Sequence, residues 1–399
     1  QKALFRIDHT EGITELTLGP LEKAREQLES NFDENYGGFG SAPKFPHPTH
    51  IESLLMAWKR SAKDKEPDLN ALYMATLTLT RMAEGGLYDH LGGGFFRYSV
   101  DQYWNIPHFE KMLYDNAALL SVYADAHAAT GEEFFKRIGS DTADWIINDM
   151  QSSCGGYYAT LDADSEGKEG TYYLWTPDEV KTVLDTTQYS IASEHFGLTG
   201  TPNFEGKAWH LHNNTALNEI ETPLSKQQTL ENLEFARQKL LIARKQRLSP
   251  GKDEKIITSW NGLMIKAMAR AARHFDRPDL AESATCAVDF IRFKLWDGDR
   301  LSATYKDQRC RFSAYLDDYA FLAAGLLELL QYRWRSTDMV LAYELMNVLL
   351  KNFEDTNGGF FFTPDDHETL IHRPKPLADE AIPSGNGIAL QTLILLGHL

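Results

Sequence analysis

The chain has 399 residues, with 40 Lys and Arg against 57 Asp and Glu, for a formal net charge of −17. That balance excludes nucleic acid and acidic membrane surfaces as partners, since both are held by Lys and Arg displacing counterions. Cys154, Cys286 and Cys310 are scattered and odd in number, which excludes a CxxC pair or zinc-ligand grouping. They fit a reducing compartment.

In chain order, apolar residues recur at helical spacing over Leu21 to Phe32, Ile51 to Ser61, Leu69 to Met82, Met112 to Thr130 and Phe134 to Met150. An irregular stretch from Asp162 to Leu224 follows, in which Pro177 to Leu184 and Ile191 to Phe196 read as short helices. A loop region of that length is expected to act as a lid or insertion, 162–224, within one domain spanning 1–399. The helical pattern returns over Leu230 to Arg247, Trp260 to Phe275, Leu280 to Leu295, Asp318 to Trp334, Val340 to Phe353 and Gly385 to Leu399. No run approaches the ~20 apolar residues of a membrane span. The start lacks the basic-then-apolar pattern of a signal peptide, so a soluble cytoplasmic protein is expected.

Between helices lie Tyr36-Gly37-Gly38-Phe39, Gly92-Gly93-Gly94-Phe95-Phe96, Cys154-Gly155-Gly156-Tyr157-Tyr158 and Asn357-Gly358-Gly359-Phe360-Phe361-Phe362. Paired glycines supply tight turns and the aromatics favour an extended arm, so each unit reads as a small hairpin. A second element opens several helices: Tyr114-Asp115-Asn116, Trp260-Asn261-Gly262, Asp317-Asp318-Tyr319 and Gly385-Asn386-Gly387. Asp or Asn at a helix start is expected as an N-cap. Repetition after glycine-rich loops also places these starts around one mouth of a barrel.

The segment from Gly85 to Asn116 concentrates Asp89, His90, Arg97, Trp104, His108, Glu110, Lys111 and Asp115, side chains that are costly to bury unpaired. Together with Gly37 to Pro46, Asp162-Ala163-Asp164-Ser165-Glu166-Gly167, Ser259 to Leu263, Leu316 to Ala320 and Pro383 to Asn386, it resembles the YyaL-like, spermatogenesis-associated thioredoxin-domain family from about Asn31 onward. The resemblance implies an all-α fold, an (α/α)6 barrel or toroid of helical hairpins with short β-hairpins in the loops at one end. That architecture is shared with N-acylglucosamine and cellobiose 2-epimerases and six-hairpin glycosidases. It also implies that the chain is the barrel portion of a longer protein with a thioredoxin-like domain. Two positions depart from the family pattern: Phe96 stands where a His is expected, and Asp253-Glu254-Lys255 where Asp-Asp-Lys is usual.

The expected ligand is carbohydrate-like. Aromatic faces stack on sugar rings while polar groups bind hydroxyls, and paired carboxyls serve glycoside hydrolysis. Asp115, Asp318 and His108 are the acid–base candidates. Arg97, Trp104, Glu110, Tyr114, Asp162, Asp164, Trp260, Asn261, Asp317, Tyr319, Asp379 and Asn386 are the candidates for substrate contact. Epimerisation through imidazoles is weaker on these residues, because the helix starts offer Asp, Asn and Tyr. The 162–167 loop lacks the spacing of a calcium loop, and neither metal nor cofactor is expected. A different class of function is a non-catalytic module serving a thioredoxin-like domain, which predicts a filled barrel centre.

Overall fold

The structure, a computed structural model, describes residues 15–399. Its helices are α1 Gly19–Ser30, α2 Pro48–Ser61, α3 Leu69–Glu84, α4 Leu113–Thr130, α5 Glu133–Trp145, α6 Pro177–Val183, α7 Thr186–His195, α8 Lys226–Arg244, α9 Thr258–Phe275, α10 Pro278–Lys294, α11 Leu316–Tyr332, α12 Ser336–Phe353 and α13 Gly385–His398. A π-helical turn, Ile146–Met150, prolongs α5.

The helices sort by what they bury. In α4, Tyr114, Asp115, Asn116, Leu119, Leu120, Val122 and Tyr123 are all buried, so the helix is covered on every side. Its neighbour α5 buries only the stripe Phe135, Ile138, Gly139, Thr142, Ala143 and Trp145. Accordingly α2, α4, α9, α11 and α13 form an inner arc in that order, each packed on the next, while α3, α5, α10 and α12 lie outside. The tightest seam joins α9 to α11. A Cβ on Gly262 would come within 2.5 Å of the Leu322 nitrogen, and one on Gly325 within 2.7 Å of the Gly262 oxygen.

Outer helices hand over to inner ones through hairpins at one end of the arc. Antiparallel bridges Phe32–Phe39, Tyr88–Phe95, Gln151–Tyr157 and Glu354–Phe360 close the Gly-Gly-aromatic units. A longer hairpin, Ser302–Lys306 with Arg309–Ser313, precedes α11.

The helix-start asparagines are the counterpart of these hairpins, and the N-cap expectation is corrected. Asn116 accepts from Phe95 N–H at 2.7 Å and donates to Phe95 C=O at 2.9 Å. Asn261 does the same to Tyr157 at 2.8 and 3.0 Å, and Asn386 to Phe360 at 2.7 and 3.0 Å. Each amide satisfies the peptide edge that the hairpin bridge leaves unpaired, because a primary amide presents a donor and an acceptor side by side.

The irregular region is more ordered than its sequence implied. The short hairpin Asp164–Ser165 with Lys168–Glu169 leads to α6 and α7, on which α8 packs. Trp175, Val180, Ile191, Phe196, Leu211, Leu233 and Leu240 give this excursion its own apolar cluster. Periodicity alone did not separate α8 from the barrel helices, because an amphipathic helix has the same pattern whichever surface it covers.

Candidate functional site at the barrel mouth

At the start of α4, Asp115 is buried, and its Oδ2 finds no hydrogen-bond partner among the described residues. Burial pushes this carboxyl well above the usual range; Arg97 opposes the shift and Glu110 adds to it. Tyr114 beside it meets Trp260, at the start of α9, edge to face with centroids 4.9 Å apart. Burial and the neighbouring Asp115 raise the Tyr114 hydroxyl to about 12.

Arg97 pairs with Glu110 at 2.9 Å. His108 bonds Glu169 through Nδ1 at 2.7 Å and lies 3.7 Å from Glu110 through Nε2. His108 therefore occupies a two-residue strand, Pro107–His108, paired with Tyr98–Ser99, rather than a helix start. Glu169 comes from the excursion, so the lid region reaches this cluster.

On α11 the adjacent aspartates divide. Asp318 accepts from Ser259 N–H and Tyr315 N–H, both at 2.8 Å. With both oxygens engaged it ties the start of α11 to that of α9, and its candidacy as an acid–base group is corrected. Burial raises it to about 7, against the two backbone bonds. Asp317 has a buried Oδ1 without a partner among the described residues, and burial raises it to about 6. That oxygen lies against the start of α13, where a Cβ on Gly385 would come within 2.0 Å of it.

Several other candidates hold structure. Trp104 is fully buried, donates from Nε1 to Tyr36 C=O at 2.9 Å and sits beneath the Lys44 ammonium. It offers no face to a sugar. The Tyr319 hydroxyl accepts from Leu301 N–H at 3.0 Å. Asn261 and Asn386 are consumed by their hairpins. Asp162 and Asp164 are exposed, and Asp162 accepts from Asp164 N–H. Asp379 accepts from Ser384 N–H at 2.8 Å just ahead of α13.

The helix expected over Ile51 to Ser61 is the first of the inner arc, and two histidines at its start were not among the sequence candidates. His47, at φ 45°, and His50 stack at 4.8 Å at the start of α2, and burial lowers both imidazoles. Nδ1 of His50 is buried without a partner among the described residues, and Asp379 acts on the imidazole electrostatically. Tyr98 stacks on Phe45 at 4.8 Å and on His108 at 5.1 Å, joining these elements in an aromatic row. Two histidines one turn apart in Pro46-His47-Pro48-Thr49-His50, directly after a glycine motif, were the available signal.

Phe96, where a histidine was expected, is buried against Phe109, Tyr173 and His210. Asp253 pairs with Lys255 and Lys306 at 3.0 and 3.3 Å. Among the described residues no group of three or more His, Cys, Asp or Glu is arranged to hold a metal ion, and no helix is long and apolar enough to cross a membrane. Cys154 and Cys286, far apart in sequence, line one shallow groove as free thiols.

No family model matches the chain. Spermatogenesis-associated protein 20 of Rattus norvegicus is 32% identical over 412 residues, which cover 94% of this chain and 52% of that protein. The chain thus spans about half the length of the curated relatives it matches. Unsaturated glucuronyl hydrolase from Bacillus sp. GL1 superposes with a TM-score of 0.52 at 13% identity, over 94% of this chain and 78% of its own. A family 105 glycoside hydrolase of C. acetobutylicum gives 0.52 at 12% identity, over 96% and 89%. These likenesses establish the fold, a helical toroid of the (α/α)6 type. By sequence, at 32% identity over 94% of its length, the chain is similar to about half of spermatogenesis-associated protein 20.

Proposed function

We propose that the mouth binds a carbohydrate and hydrolyses a glycosidic bond by general acid catalysis from Asp115. The observation that carries this reading is the buried Oδ2 of Asp115, without a partner among the described residues, in a carboxyl that burial shifts toward its protonated form. Leaving such a group unpaired is expensive, and native interiors avoid it unless a ligand or a reaction uses it. A protonated carboxyl is what a leaving glycosidic oxygen requires, while a second, ionised carboxyl activates water. Asp317 and Glu110 are the candidates for that second role. Trp260, partly exposed beside Tyr114, supplies an apolar face for a sugar ring. The two superposed hydrolases named above support the choice of hydrolysis over epimerisation.

A non-catalytic module for a thioredoxin-like domain needs only a packed centre, and the unpaired carboxyls at the starts of α4 and α11 argue against it. The test is calorimetric binding and product analysis with aryl glycosides, neutral disaccharides and oligosaccharides ending in unsaturated glucuronic acid. The expected result is turnover of one class that falls at least 100-fold in Asp115→Asn while the unfolding midpoint is kept. Absence of binding and turnover across the panel by the parent protein would sink the proposal.

A further inference from the structure

Beside the mouth, a cavity of about 480 Å³ opens between the Asp89–Gly93 turn, the end of α5, Tyr172-Tyr173 and the end of α8. At its floor Asp89 is gripped by Arg244 at 2.7 and 2.9 Å and by Lys111 at 2.8 Å, all three side chains being buried. Burial alone would push the Asp89 carboxyl up; Arg244 and Lys111 outweigh it and hold it well below the usual range. One carboxylate therefore answers two buried cations. Nε of Arg244 is buried with no hydrogen-bond partner among the described residues.

Of the other carboxylates of the lining, Asp141 and Glu234 neutralise Arg237, itself part of the lining, at 3.4 and 3.0 Å, and Asp144 pairs with Arg277 outside it at 2.7 Å. Asp149 acts on Lys111 from the side. Lys245 and Lys252 stand exposed at the rim, and the lining as a whole carries more cations than carboxylates in a chain whose formal net charge is −17. Local cation excess in an acidic protein, around an open space, is the electrostatic complement of an anion.

We propose that this cavity binds a compact oxyanion, the phosphate or carboxylate group of a small molecule. Arg244 and Lys111 meet the charged group, Lys245 and Lys252 attract it at the rim, and Trp145, Tyr172 and Tyr173 face the body of the ligand. The volume lies within the range of small-molecule sites. The proposal does not depend on hydrolysis at the mouth.

The test is titration calorimetry at constant ionic strength with inorganic phosphate, acetate, glucose 6-phosphate, glucuronate and glucose, on the parent, on Lys245→Ala/Lys252→Ala and on Asp115→Asn. The rim lysines are exposed, so their removal leaves the fold in place. Expected is saturable binding of phosphate or carboxylate compounds but not glucose, weakened at least tenfold in the lysine double variant and unchanged in Asp115→Asn. The ranking of the phosphate and carboxylate arms identifies the group. Absence of saturable anion binding overturns the proposal. So does anion binding that is lost in Asp115→Asn and kept in the lysine variant, which would place the anion at the mouth.

Discussion

Replacing Asn261 with Ala removes hydrogen bonds to Tyr157 N–H, Tyr157 C=O and Ile257 C=O, at 2.8, 3.0 and 2.9 Å. Asn261 and Tyr157 are fully buried, so the two Tyr157 groups do not face bulk solvent. A buried peptide group left unpaired costs about 1–3 kcal/mol. With water entering part of the vacated volume, the expected loss is about 3–5 kcal/mol. Urea denaturation followed by fluorescence measures it as a fall in midpoint at constant slope. Tyr157→Phe is the calibrating control. It removes only the hydroxyl contact with Ser283 at 2.7 Å, worth about 1 kcal/mol. If Asn261→Ala costs no more than Tyr157→Phe, the hairpin is held by its own turn and the argument from the amide clamp fails.

Asp317 gives a pH signature. Its folded value of about 6 lies above the unfolded carboxyl at about 3.9, so its contribution is fully present below the unfolded value and is lost as pH rises through 6. The stability difference between the parent and Asp317→Asn should shift by about 3 kcal/mol against the parent between pH 3 and pH 8; a difference flat with pH contradicts the burial argument. At the cavity floor, Asp89→Asn leaves Arg244 and Lys111 buried without a countercharge and should cost about 3–5 kcal/mol. Thermal unfolding reads this, and a loss under about 1 kcal/mol would show that solvent already compensates the two cations.

Much of the site was legible because its chemistry is local. Asp115 stood out at a helix start in a segment too polar to be simple packing, and Tyr114 and Trp260 stood beside similar starts. The His47 and His50 pair is equally local, two imidazoles one turn apart just after a glycine motif. Asp318 and Trp104 could not have been sorted by sequence. Which of two adjacent aspartates caps and which faces an opening depends on where α9 and α13 arrive, and a Trp in a motif looks the same whether it fills a core or lines a mouth.

The sequence by itself determined the helices, the hairpins at the Gly-Gly-aromatic units and the likeness to known proteins, since periodicity, turn chemistry and ordered motifs are properties of neighbours along the chain. Only the tertiary structure decided that Asn116, Asn261 and Asn386 clamp those hairpins and that α8 belongs to the excursion. It also decided that Arg244 crosses to Asp89, 155 positions away, to create a buried excess of positive charge. Such pairings are set by which polar groups lose water together, a quantity that exists only once the helices have closed around them.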